Sequence, residues 1–77
     1  MNAMEQITAI LVESFGLTPD EIQPDSRLEA DLGINSLELA DLVYLCEEKF
    51  GVIIEDDDLH KFITVGDVVE YLESHAQ

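Results

Sequence analysis

Residues 31–38 read DLGINSLE, a glycine-containing turn that runs directly into the most apolar and most clearly periodic segment of the chain. Ser36 stands at the start of that segment, where a serine is either a capping residue or a free hydroxyl. Asn35 is a strong cap and Glu38 is spaced to bond back to it, so the spacing puts Ser36 at the first helical position. A hydroxyl there has no capping duty. It faces unpaired backbone amides and the positive end of the helix dipole, surroundings that favour a phosphate ester formed on it. An idle surface serine fits the same residues equally well.

From Ser36 the apolar periodicity predicts a helix to Phe50, closed by Gly51. At about 100° per residue, Leu39, Leu42, Val43, Cys46 and Phe50 gather on one side as a core stripe. Ser36, Leu37, Ala40, Asp41, Tyr44, Glu47 and Glu48 fall on another arc. A purely solvated face needs neither Leu37 nor Tyr44, which makes this acid-edged arc a candidate partner surface. The bland alternative is that singly exposed apolar residues are ordinary.

Working outward, Met4, Ile7, Ile10, Leu11 and either Ser14 or Phe15 repeat at spacings of three and four, which predicts a first helix ended by Gly16. Residues 17–35 form a long connection whose Leu17, Ile22, Leu28, Leu32 and Ile34 can pack inward, with TPDE at 18–21 suited to a brief helical turn. Loops of this length in a small domain usually carry function. Residues 52–63, VIIEDDDLHKFI, suggest an extended approach and a short helix with its aspartates at the favourable N-terminus. A last helix opens at TVGD, with Thr64 capping and Asp67 reciprocating, and runs to about Ser74. The fold expected is all-α: a small four-helix bundle of three longer helices and one short one, with a long loop between the first two, in a single domain over 1–77.

Charge narrows the partners. Three basic residues stand against 18 acids in 77 residues, a formal charge of −15. Such a body repels phosphate backbones and anionic headgroups, so neither nucleic acid nor membrane insertion is expected. It suits proteins with basic docking patches, met rapidly under electrostatic steering. One cysteine makes no internal disulfide, no signal-like N-terminus is evident, and no apolar run reaches bilayer length, so a cytoplasmic monomer is expected.

The stretch DLGINSLELADLVYLCEEKFGVIIEDDDLHKFITVGDVVEYLESHAQ, residues 31–77, resembles the acyl carrier protein family. That family's pattern is an Asp-Leu-Gly-x-Asp-Ser-Leu turn, an amphipathic helix ending Glu-Glu-x-Phe and a Thr-Val opening the last helix. The resemblance is close over 31–77 and looser over the first helix. It implies a stand-alone carrier that catalyses nothing. Ser36 would receive 4′-phosphopantetheine from coenzyme A through a phosphopantetheinyl transferase, and the arm's thiol would hold acyl groups as thioesters for synthases of fatty acid, polyketide or related acyl-transfer pathways. It also implies that Asn35, Leu37, Ala40, Asp41, Tyr44, Glu47 and Glu48 form the recognition face, and that Leu39, Val43, Cys46, Leu59 and Phe62 surround an acyl-chain pocket.

The sequence departs from the pattern at three places. Asn35 replaces an aspartate that offers a charge beside the transferase's metal. Glu55 replaces a proline before the short helix. Leu59 and Phe62 are bulkier than is frequent there, which predicts a preference for short or polar cargo. Two alternatives accompany the carrier: an aminoacyl or D-alanyl carrier within the class, and an acidic helical interaction module without a prosthetic group outside it.

The remaining chemistry-bearing residues read as structural. Cys46 lies on the core stripe with no histidine near it in sequence, as a small buried hydrophobe does. EDDD at 55–58 lacks the alternating ligands and glycine of a calcium loop, and no metal site is expected. His60 and His75 have no ligand-pair spacing, and His75 suits a helix C-terminus. Ser14, Ser26 and Ser74 lack the turn, cap and apolar strip that distinguish Ser36.

Overall fold

A computed structural model describes residues 2–75. Helix α1, Ala3–Phe15, begins at Asn2, whose side chain accepts from the Glu5 amide at 2.8 Å while the Glu5 carboxylate accepts from the Asn2 amide at 3.0 Å. This reciprocal cap satisfies two of the donors a helix start leaves open. Ile7, Ile10 and Leu11 are buried, and Phe15 rather than Ser14 turns toward the core. Gly16 ends the helix at φ 69°, which glycine adopts without the cost of a Cβ.

The connection from Gly16 to Asn35 is a packed loop. Ile22, Leu28, Leu32 and Ile34 are all buried in it, and Leu17 packs against the same core. A 3-10 turn at Pro19–Glu21 is held by the Glu21 carboxylate, which accepts from the Thr18 amide at 2.9 Å and the Thr18 hydroxyl at 3.0 Å. Those bonds, the backbone one foremost, lower the Glu21 pKa below the ordinary carboxylate value. Ser26 is a buried node: its hydroxyl donates to the Glu21 carbonyl and accepts from the Gln23 amide, both at 2.9 Å.

Helix α2, Ser36–Phe50, buries Leu42 and Cys46 and half-buries Leu39, Val43, Leu45 and Phe50. The short fourth helix, Asp56–Lys61, takes 3-10 geometry rather than α. Helix α3, Val65–His75, opens on Thr64, whose hydroxyl accepts from the Asp67 amide at 3.1 Å while the Asp67 carboxylate accepts from the Thr64 amide at 2.9 Å. Helix α1 packs against both α2 and α3.

The long loop is stitched to the start of α3 by three backbone bonds: Leu28 amide to Ile63 carbonyl at 2.9 Å, Val65 amide to Ser26 carbonyl at 2.9 Å, and Gly66 amide to Pro24 carbonyl at 2.7 Å. An isolated bridge pairs Arg27 with Thr64, and no strand forms among the described residues. The loop is thereby fixed beside the N-terminus of α2, where Ser36 sits.

Candidate functional site

The turn before α2 is built as its spacing predicts. Asn35 is extended at φ −80°, its side-chain oxygen accepts from the Glu38 amide at 2.9 Å, and its own amide donates to the Glu38 carboxylate at 3.3 Å. Gly33 at φ 72° turns the chain toward this cap. Ser36 is exposed, and its hydroxyl takes no part in the capping bonds. The positive end of a 15-residue helix dipole lies behind it.

Ser36 lies on the lining of a cavity of about 300 Å³. Leu28, Ile34, Leu39, Phe62 and Ile63 supply its apolar wall, and Arg27, Glu29 and Asn35 stand among them. Of the five residues expected around an acyl-chain pocket, Leu39 and Phe62 are in this lining. Val43 and Leu59 are half-buried against the core and are not part of it. Cys46 is fully enclosed at 0% exposure, where burial pushes its thiol up to about 12. The cavity therefore opens toward the long loop instead of running deeper along α2. Leu28, Ile34 and Ile63 escaped the sequence because a helical wheel cannot say which loop residues return to a helix end.

On the outward arc of α2, Leu37 is 80% exposed and Tyr44 58%. Ala40, Asp41 and Glu48 are exposed beside them. The Tyr44 hydroxyl donates to Glu48 at 3.1 Å, and that bond to a carboxylate raises the phenol's pKa. Glu47 needs a correction. Its carboxylate accepts from the Ile54 amide at 2.8 Å and is half-buried, so it tethers the segment after α2 instead of standing free on the arc. Two exposed apolar residues not anticipated, Ile53 and Ile63, flank the short helix at 79% and 57% exposure. The run VIIEDDD hides them because its alternation marks Val52 and Ile54 as buried without showing what the other side meets.

A family model described as "Phosphopantetheine attachment site" matches residues 5–72. The chain is 37% identical over 75 residues to the acyl carrier protein of Chlamydia trachomatis serovar L2, covering 97% of each. It is 39% identical to those of Campylobacter hominis, over 96% of this chain and 94% of that one, and Wolinella succinogenes, over 97% and 99%. This chain belongs to the acyl carrier protein family. As a member it is a carrier, not a catalyst, and its prosthetic group is 4′-phosphopantetheine. The solution structure of the apo doublet acyl carrier protein from prodigiosin biosynthesis shares the fold, with a TM-score of 0.81 at 19% identity over 96% of this chain and 36% of that one. No helix among the described residues is long and apolar enough to cross a membrane.

The other polar residues of this carrier are occupied in holding the short helix. Asp58 accepts from Lys61 at 3.0 Å and from the Tyr71 hydroxyl at 2.9 Å, and these two bonds, Lys61 first, lower its pKa. The Tyr71 ring meets Phe62 edge-on at 5.3 Å and stacks on His75 at 4.0 Å. His75 lies in the last turn of α3, with Nδ1 2.8 Å from the Tyr71 carbonyl.

Proposed function

We propose that Ser36 is the residue that carries the 4′-phosphopantetheine arm, in a stand-alone carrier of short or polar acyl thioesters for fatty acid, polyketide or a related acyl-transfer pathway. The observation that carries this is the division of labour at the head of α2. Asn35 and Glu38 complete the cap between themselves, leaving the exposed Ser36 hydroxyl without a structural task at the positive end of the helix. A phosphodiester formed there gains from the dipole and disturbs no internal bond. The transferase moves the group from coenzyme A, the Ser36 oxygen replacing the nucleotide's phosphate oxygen on the transferred phosphorus and losing its proton.

Leu37, Ala40, Asp41, Tyr44 and Glu48 present an apolar strip edged by acids, the complement of a basic patch with an apolar centre on the transferase and on acyl-transfer enzymes. Asn35 offers such partners an amide where the family offers a carboxylate, so transferases that need that charge should work slowly here. A cavity of about 300 Å³ is at the small end for a ligand site, and Phe62, 5% exposed and braced by Tyr71, walls it; both favour short cargo.

The test is intact mass after incubation with coenzyme A and a phosphopantetheinyl transferase. The parent should gain the mass of one arm, and Ser36→Ala should fold with unchanged helicity and gain none. A full gain in Ser36→Ala would place the attachment elsewhere and end this assignment; no gain in the parent with several transferases would leave an interaction module without a prosthetic group.

A further inference from the structure

Arg27 is the one cation of the cavity that also holds Ser36 in its lining. The chain has three basic residues in all. Lys61 is paired with Asp58 at 3.0 Å, and Lys49 is in the last turn of α2, at the opposite end from Ser36. The Arg27 backbone is firmly held: its amide donates to the Asp31 carboxylate at 2.7 Å, its carbonyl accepts from the Asp31 and Leu32 amides at 3.0 Å, and it bridges to Thr64. Its guanidinium makes no ion pair among the described residues, not even with Glu29, which lines the same cavity. A fixed root with an unengaged head, in a molecule of charge −15, is an arrangement that wants an anion.

We propose that Arg27 is a positioning residue for the phosphodiester on Ser36, its guanidinium pairing with the phosphate oxygens and holding the first bonds of the arm at the cavity mouth. This rests on Ser36 being the attachment residue. A guanidinium is shaped for phosphate oxygens, which it meets through paired N–H donors. The phosphate is one bond from the Ser36 oxygen and so is always present beside the cavity. The far end of a flexible arm visits any one place only a small part of the time, which favours the phosphate over a cargo carboxylate as the anion Arg27 meets. The pair also offsets part of the repulsion that a new negative charge meets on this surface. Being solvent-exposed, it shifts the arm between held and free by about two- to fivefold, less at high salt.

The experiment uses arm-loaded parent, Arg27→Gln, Arg27→Lys and Glu29→Gln, with the loading of each verified by intact mass. Phosphorus-31 relaxation reports the mobility of the phosphate, and the Arg27 Nε–H resonance reports its partner. On loading the parent, the Nε–H signal should move and the phosphorus should tumble with the protein. In Arg27→Gln the phosphorus should gain fast local motion. Arg27→Lys should restore part of the parent's behaviour, Glu29→Gln should tighten the pairing, and salt should erase these differences. Identical phosphorus relaxation in parent and Arg27→Gln, or a difference that arises only when a dicarboxylic half-thioester is loaded, would overturn the proposal. A parent that takes no arm at Ser36, which the mass alone reads, would overturn the attachment assignment and this inference with it.

Discussion

Glu47 and Glu48 are adjacent acids on α2, yet they should respond to alanine substitution quite differently. The Glu47 carboxylate accepts from the part-buried Ile54 amide at 2.8 Å, seven residues on. Ile54 itself is 6% exposed, and in the described structure its amide's partner is this carboxylate. A hydrogen bond to a charged group contributes about 1.5–3 kcal/mol, and an orphaned buried donor costs about 1–3 kcal/mol. Partial access of water to the amide, and the relief of one charge among an excess of fifteen, reduce the expected net loss in Glu47→Ala to about 1.5 kcal/mol. For a domain of this size that lowers Tm by about 6–12 °C. Glu48→Ala removes only an exposed bond to Tyr44 and should stay within about 0.5 kcal/mol of the parent. Thermal unfolding by circular dichroism, at one ionic strength, measures both. Equal Tm values for the two variants would show that the Ile54 amide is satisfied without Glu47 and refute the tether.

Gly66→Ala should cost about 1–3 kcal/mol, because a Cβ there would lie 2.9 Å from the Pro24 carbonyl oxygen that the Gly66 amide already holds; denaturant unfolding checks it. Asp58 has its pKa lowered by Lys61 and then by Tyr71, so its contribution to stability is complete above the ordinary aspartate pKa and is lost as pH falls through the lower folded value. The Tm difference between parent and Asp58→Asn should therefore be steady near neutrality and shrink below about pH 4; a difference that grew on acidification would contradict the assignment. Glu48→Gln should bring the Tyr44 phenol back down toward 10.0, seen by ultraviolet titration, with Tyr71 unmoved. Phe62→Leu should enlarge the stabilisation conferred by a long saturated cargo relative to a short one; strong stabilisation of the parent by the long chain would show that Phe62 is no barrier.

The helices were legible because their signals are local. Asn35 with Glu38, Thr64 with Asp67, and Gly16 and Gly51 mark starts and stops within four residues, and each forms the bond or turn its spacing implies. Ser36 stood out by the same logic. What the sequence did not convey is long-range. Glu47 looked like a surface acid because its partner is a backbone amide across a helix end. The cavity's loop wall, Arg27, Leu28 and Ile63, depends on the stitch between residues 24–28 and 63–66, which no periodicity encodes. The 3-10 form of the short helix likewise depends on packing, with Tyr71 and Lys61 converging on Asp58.

The enclosure of Cys46 bears on the fate of a thioester. Transthioesterification needs a thiolate within reach, and a carrier's cargo spends its life near the carrier's own side chains. Here the single protein sulfur has no surface and a thiol held near 12, so it is almost never ionised at neutral pH. Acyl groups on the arm have no internal sulfur to leak to, and the chain cannot cap itself or dimerise by oxidation while folded. Thiol-directed reagents applied to the native, loaded carrier accordingly have one address, the end of the arm.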